Sequence, residues 1–287
     1  MLLQQGTPVT GGYLLLERFD WPVVVRGAGD IATGVIQKLA HAGFNVYALE
    51  VKEPSAIRRK VALSEAVYDG KTQVEDLVGV LVENEVEANI ALAVGRIPIL
   101  VDPDLSSLSW IRPLAFVDAV IAKKNTGLNK ELAPVTIALG PGFTAGEDCD
   151  VVIETQRGHD QGMLIFSGQT QKNTGVPGPI EGFTTERVIR APHAGNLTAI
   201  RQIGDIVEAG EDLLKIDDTI VTAPIGGVVR GMLRDGYAVV KGTKLSDIDP
   251  RLDEQKNCYT LSDKARALGG AVLEAVTLLL RQKQLWP

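Results

Sequence analysis

Val23-Val24-Val25-Arg26-Gly27-Ala28-Gly29-Asp30-Ile31-Ala32-Thr33-Gly34 is the stretch on which the reading of this chain turns. Three valines in a row have the profile of a strand buried on both faces, as in a parallel sheet. A glycine turn follows, and Ile31, Val35, Ile36, Leu39 and Ala40 then recur at helical spacing. Strand, glycine turn and helix in this order form the place where an open α/β sheet binds a nucleotide. Gly27 can take the backbone angles of the turn. Gly29 leaves room for a phosphate beside the free N–H groups of the helix start. The third position of the G-x-G-x-x-G pattern is Ala32, with Gly34 two residues on. Asn45–Val51 reads as the second strand. Glu50, 21 residues beyond Gly29, stands where an acid often takes ribose hydroxyls. The same pattern also suits a turn that only packs helix on sheet.

Around this stretch, 287 residues allow about two domains and a large core. The net charge of −7, without a basic tract, argues against nucleic acid as the main partner. Two cysteines, Cys149 and Cys258, make no disulfide framework and point to a reducing, cytoplasmic compartment. No charged segment followed by an apolar run opens the chain, so no secretory signal is expected. Leu278–Leu280 closes a helical pattern far short of a membrane span, so no membrane partner is expected either. Residues 1–21 show no periodicity and read as an N-terminal extension.

Residues 22–185 carry the α/β pattern and are expected to form a Rossmann-like, mostly parallel sheet. After Glu53-Pro54-Ser55, the run Ala56–Leu63 holds Arg58, Arg59 and Lys60, which suit either a phosphate near the glycine turn or a solvated helix face. Strands are expected at 78–82, 97–102, 116–122, 135–139 and 151–153, and a helix at 85–94. Three turns follow strands and so fall where ligands of such sheets sit. Lys123-Lys124-Asn125-Thr126-Gly127 offers cations and amide donors. Gly140-Pro141-Gly142-Phe143-Thr144-Ala145-Gly146 offers exposed N–H groups, a candidate anion nest. Glu154-Thr155-Gln156-Arg157-Gly158-His159 places Arg157 and His159 on either side of Gly158. The candidate ligand-binding residues are therefore Gly27, Gly29, Asp30, Thr33, Gly34, Glu50, Lys123, Asn125, Gly140, Gly142, Arg157, Gly158 and His159, expected to converge on one cleft. His159, as an acid or base near neutral pH, is a candidate for chemistry. No metal-ligand spacing appears, and each turn also has a structural explanation.

Residues 167–183 change to Gly, Pro, Thr and Asn and read as a linker. An internal repeat follows. At an offset of 32, Ala191-Pro192 matches Ala223-Pro224, Gly195 matches Gly227, Gly204 matches Gly236, Val207 matches Val239, and Ile216-Asp217 matches Ile248-Asp249. A gapless repeat of this size means two copies of one β unit about a pseudo-twofold axis. The unit resembles the biotinyl/lipoyl barrel-sandwich fold, which assigns residues 186–250 to a small all-β domain. Such carrier domains present a lysine on a hairpin between the copies. Here Lys215 precedes the turn and should lie within a strand, so no biotin or lipoate is expected. Residues 251–287 carry a C-terminal helix from Ser262 to Leu280 whose apolar face should return to the first domain. Cys258, just before that helix, is the better of the two thiols for chemistry, because a helix N-terminus lowers a thiol pKa.

Taken together, Arg26–Gly34, Gly140–Gly146, Glu154–His159 and Asp247-Ile248-Asp249-Pro250-Arg251 resemble the YqeB-type accessory proteins of the selenium-dependent molybdenum hydroxylase system. The resemblance runs from about Val23 to the C-terminal helix. The first domain is also similar in kind to the Rossmann part of xanthine dehydrogenase accessory proteins. The resemblance implies a role in maturing a molybdenum hydroxylase, with that enzyme or its maturation proteins as partners, and brings no established catalytic residue. A molybdopterin-type cofactor and NAD(P) are the candidate ligands. The competing readings are an NAD(P)-dependent oxidoreductase and a non-catalytic scaffold, and a homo-oligomer stays open.

Overall fold

The computed structural model describes residues 20–176 and 178–286, so most of the expected N-terminal extension lies outside the described residues. Nine strands make the first sheet: β1 (Pro22–Arg26), β2 (Asn45–Glu50), β3 (Lys71–Val74), β4 (Leu77–Val82), β5 (Ile97–Val101), β6 (Ala115–Asp118), β7 (Val135–Leu139), β8 (Val151–Ile153) and β9 (Leu164–Ile165). Their order is β3-β4-β5-β2-β1-β6-β7-β8-β9. Every pairing from β4 to β8 is parallel, and the antiparallel strands β3 and β9 close the two edges. These two edge strands escaped the sequence reading, since each is short and neither carries a clear apolar alternation.

The valine run explains the layering. Val23 and Val25 enter one apolar cluster with α1 (Asp30–His41) and the C-terminal helix, while Val24 enters another on the opposite face. A strand covered on both sides needs apolar residues at successive positions, which is what the sequence carries. The remaining helices are α2 (Ala66–Asp69), α3 (Glu85–Ala93), α4 (Leu108–Ile111) and α5 (Asp263–Gln282). The C-terminal helix α5 packs on α1, β7 and β8. Ser262 caps it by accepting from the Ala265 N–H at 3.1 Å. Around residues 56–63, where the sequence leaves a solvated helix face open as one reading, the chain forms two short 3-10 turns, Arg59–Val61 and Leu63–Glu65.

The repeat yields eight strands: β10 (Val188–Arg190), β11 (Gly195–Ala199), β12 (Ile206–Val207), β13 (Asp212–Ile216), β14 (Thr219–Thr222), β15 (Gly227–Met232), β16 (Ala238–Val239) and β17 (Lys244–Asp249). They form two four-stranded sheets, β10-β17-β15-β12 and β14-β13-β11-β16. Exchanging each strand for its partner in the other copy turns one order into the other, so each sheet draws strands from both copies. Lys215 lies within β13, paired with Ile220 ahead of the turn at Asp217 and Asp218. The β unit is fastened to the first domain rather than tethered only by the linker. The Met232 N–H donates to the Ile57 carbonyl at 2.8 Å, Arg59 Nε donates to the Met232 carbonyl at 2.8 Å, and Arg234 Nη1 meets Glu65 at 3.0 Å.

Candidate functional site

From β1 the sheet grows through β2 and β5 on one side and through β6, β7 and β8 on the other. The order therefore reverses between β1 and β6, the point at which such sheets bind ligands. A cavity of about 440 Å³ opens there, lined by Arg26, Gly27, Gly29, Asp30, Glu50 and Asp102 among others. Gly27 sits at φ +94° and donates its N–H to the Leu49 carbonyl at 2.7 Å. Only glycine takes that angle without strain. Gly29 has an ordinary φ of −65°, but nothing lies within 4 Å of where its Cβ would stand. Its missing side chain keeps the cavity open. The N–H groups of Gly29, Asp30, Ile31 and Ala32 have no acceptor among the described residues. They are the unsatisfied donors of a helix N-terminus.

The acids lining the cavity are held in place. Glu50 accepts from the Ala28 N–H at 2.8 Å and from its neighbour Val51 at 2.9 Å. Burial is the largest influence on its carboxyl and raises its pKa, and the two N–H donors offset this only in part. Asp102 accepts from the N–H groups of Ser106 and Ser107 at 3.0 and 2.7 Å. Arg26 lies opposite Asp118 in the β1–β6 register, with Nη1 to Oδ2 at 3.3 Å, and donates Nη2 to the Thr126 carbonyl at 3.0 Å. Asp118 is fully buried, which raises its pKa despite the guanidinium.

Of the other expected site residues, several build the scaffold. Thr33 is buried, donates its hydroxyl to the Gly29 carbonyl at 2.9 Å and accepts from the Leu63 N–H at 3.0 Å. Gly34 faces α5, where a Cβ would run into the Ala265 carbonyl. Asn125 closes its own turn by accepting from Gly127 and Leu128, and donates to Asp148 at 2.9 Å. A Cβ on Gly140 would stand 2.7 Å from the Thr155 hydroxyl, and one on Gly142 would strike the backbone of Lys123 and Lys124. Lys123 itself is exposed. The expectation of one cleft is corrected accordingly. The turns share one edge of the sheet, as parallel pairing demands, but Lys123, Asn125, Gly140, Gly142, Gly158 and His159 line neither this cavity nor the one described next.

Arg157 belongs to a second cavity of about 590 Å³. It lies where the first domain, the linker, the β unit and the start of α5 meet. Arg157 grips Asp263 with both Nη atoms, at 2.7 and 2.9 Å. That fork holds the Asp263 carboxyl down at about 2. His159, two residues on, is exposed. Cys258 is corrected as a chemical candidate: it is buried in the apolar cluster of the β unit, and burial pushes its thiol pKa up. Cys149 is also buried and is pushed up to about 12, burial leading. The sequence reading missed Arg187 and Arg230, which line the second cavity with Arg58 and Arg251. The only signal toward them was the Asp249-Pro250-Arg251 motif, because Arg187 and Arg230 come from separate elements. Among the described residues, no group of three or more His, Cys, Asp or Glu side chains could hold a metal ion. No helix there is long and apolar enough to cross a membrane.

No protein-family model matches the chain. It is 52% identical over 260 residues to the uncharacterized protein YqeB of Escherichia coli (strain K12), a match covering 91% of this chain and 48% of that protein. The chain thus spans about half the length of the curated relative it matches, and the identity supports the YqeB family. Among solved structures, a succinylglutamate desuccinylase from Silicibacter sp. TM1040 is 12% identical with a TM-score of 0.24, covering 79% of this chain and 84% of that one. The product-bound ectoine utilization protein EutE (DoeB) from Ruegeria pomeroyi is 11% identical with a TM-score of 0.25, covering the same shares. Likenesses this low carry no argument about function.

Proposed function

We propose that this YqeB-like chain is an accessory factor in the maturation of molybdenum hydroxylases, binding a nucleotide or a molybdopterin-type cofactor in the cavity between β1 and β6. The observation that carries the binding half is Gly29. Open space stands where its side chain would be, beside four N–H groups without acceptors. That is a cradle suited to a phosphate. The volume of about 440 Å³ falls in the range of small-molecule sites. The N–H groups of residues 29–32 would hold the phosphate, and Glu50 would accept from hydroxyl groups nearby. The maturation role and its partner, a molybdenum hydroxylase or its maturation proteins, rest on the motif resemblance.

The test is to denature the purified protein and identify released small molecules by mass spectrometry. A nucleotide or pterin phosphate is expected from the wild type and none from Gly29→Val, whose fold should survive because its side chain enters open space. If Gly29→Val keeps every ligand that the wild type carries, the reading fails. Glu50 at the end of β2 favours one rival, an NAD(P)-dependent oxidoreductase. A released nicotinamide nucleotide, with hydride transfer to a substrate, would favour it. His159 and Cys258 do not line this cavity, so neither supports catalysis there. Wild type that releases nothing would favour the scaffold.

Our reading of the β unit is a barrel-sandwich of the biotinyl/lipoyl kind that carries no swinging group. The exchange of its two sheets under the offset of 32 supports the first part. The place of Lys215 inside β13 supports the second. An intact mass with a biotin or lipoate adduct on Lys215 would overturn it.

A further inference from the structure

The cavity of about 590 Å³ at the domain junction is lined by five arginines: Arg58, Arg157, Arg187, Arg230 and Arg251. Two of them are already matched. Arg157 forks onto Asp263, and Arg251 forks onto Asp249 at 2.9 and 2.7 Å. Glu254 also faces Arg251, at 3.9 Å. Three arginines are left with donors to spare. Arg58 is only 7% exposed. Its Nη2 donates to the Asn257 and Thr260 carbonyls, yet Nε and Nη1 are buried without a hydrogen-bond acceptor, the nearest acid being Asp30 at 3.7 Å. Arg187 is also 7% exposed, and its Nε is likewise orphaned. Its Nη2 donates to the Gly178 carbonyl at 3.2 Å, and Nη1 stands 3.5 Å from Asp247. The Arg230 side chain, half-buried in β15, has no hydrogen bond or ion pair with any described residue. Arg230 also weighs on both buried arginines. Burial is the first cause that lowers their pKa values, and the charge of Arg230 adds to it.

Buried guanidinium donors without acceptors are costly, and like charges held together add to the cost. A chain that converges two such groups and a third, half-buried guanidinium from three segments on one cavity is built for an anion. The geometry points to a second ligand site here, which takes a phosphate-bearing small molecule. A phosphate presents acceptor oxygens in several directions and can meet forks arriving from separate elements. A lone carboxylate is planar and is served by one fork. The volume exceeds what a bare ion fills, so an organic phosphate fits better than phosphate alone. The Asp30–Arg58 pair joins the two cavities, because Asp30 lines the first and Arg58 the second. The inference does not depend on what the first cavity binds.

The test is calorimetric titration of the full chain with inorganic pyrophosphate at constant ionic strength. It is done in the Gly29→Val background so that the phosphate cradle of the first cavity is blocked. Saturable binding of one pyrophosphate is expected. Adding Arg230→Gln should weaken it at least tenfold, and Arg230→Lys should restore part of the loss. The Arg230 side chain makes no hydrogen bond or ion pair among the described residues, and its charge adds to the cost of Arg58 and Arg187, so the glutamine variant should unfold at no lower a temperature than its parent. Three results would overturn the inference: no saturable binding to Gly29→Val, binding indifferent to Arg230→Gln, or citrate binding as tightly as pyrophosphate.

Discussion

Glu50 shows at the scale of one residue how a site acid is tuned. Its two oxygens accept N–H groups from the glycine turn and from Val51, so it shapes the turn as well as lining the cavity. Its folded pKa is raised, burial being the largest cause. The sign follows from linkage: a raised pKa means that the stability contributed by this group is fully present below the unfolded value, about 4.3. That contribution is lost as pH rises through the folded value. Glu50→Gln should therefore gain on the wild type as pH climbs from acid to neutral, and the two should converge in acid apart from a constant offset. Thermal unfolding of both proteins across that range checks it. A difference that does not move with pH would show that Glu50 ionises as freely in the folded chain as in the unfolded one.

At the scale of the element, the crossing of α1 and α5 depends on two glycines. A Cβ on Gly34 would strike the Ala265 carbonyl, and one on Gly269 would strike the Gly34 carbonyl. Each helix uses its glycine to let the other backbone approach. Gly34→Ala or Gly269→Ala must push the helices apart, and each should cost about 1–3 kcal/mol, the usual penalty for overpacking. Gly270, the next residue on α5, has nothing within 4 Å of its missing Cβ. Gly270→Ala should instead stabilise by about 0.5–1 kcal/mol, since alanine holds a helix better than glycine. Chemical denaturation of the three variants separates the cases. Adjacent glycines with opposite responses would identify packing, rather than helix propensity, as the reason for Gly34 and Gly269.

At the scale of the whole molecule, the β unit is locked to the first domain through the segment after β2. Glu65 is 5% exposed and is served by Arg234 at 3.0 Å and Arg59 at 3.7 Å. Burial leads in raising its pKa, and the two arginines pull it back. Arg234 also meets Asp69 and lies over the Tyr68 ring, 4.7 Å from its centre. Arg234→Ala should cost about 2 kcal/mol, the range of a lost hydrogen bond to a charged group. The loss should be largest at neutral pH and shrink as pH falls and Glu65 takes up a proton. Unfolding followed at two pH values checks both statements. Because the arginine cavity lies across the same junction, Arg234→Ala should also weaken pyrophosphate binding without touching the cavity wall.

Features with local causes can be read from the order of residues alone. Three valines with a glycine turn specified β1 and the start of α1. Apolar runs bounded by turn residues specified β7 and β8 to the residue. The offset of 32 announced two copies of one β unit, and the strands within the matched spans, β11 to β13 and β15 to β17, correspond at that offset, because a repeated side-chain pattern repeats its backbone. The cavity at Gly29 was legible for the same reason, since Gly29 and Glu50 both hang on one βαβ unit. Where side chains from distant segments meet is set by the folded packing. Thr33, Gly34 and Asn125 belong to the site expected from sequence, yet packing against Leu63, α5 and Asp148 claims them. Arg58, Arg187 and Arg230 share no spacing, motif or element, so no periodicity could join them. They become one site only when the β unit docks on the sheet. Docking is set by buried area and by a few long-range bonds, such as Met232 to Ile57, and a one-dimensional pattern does not record these.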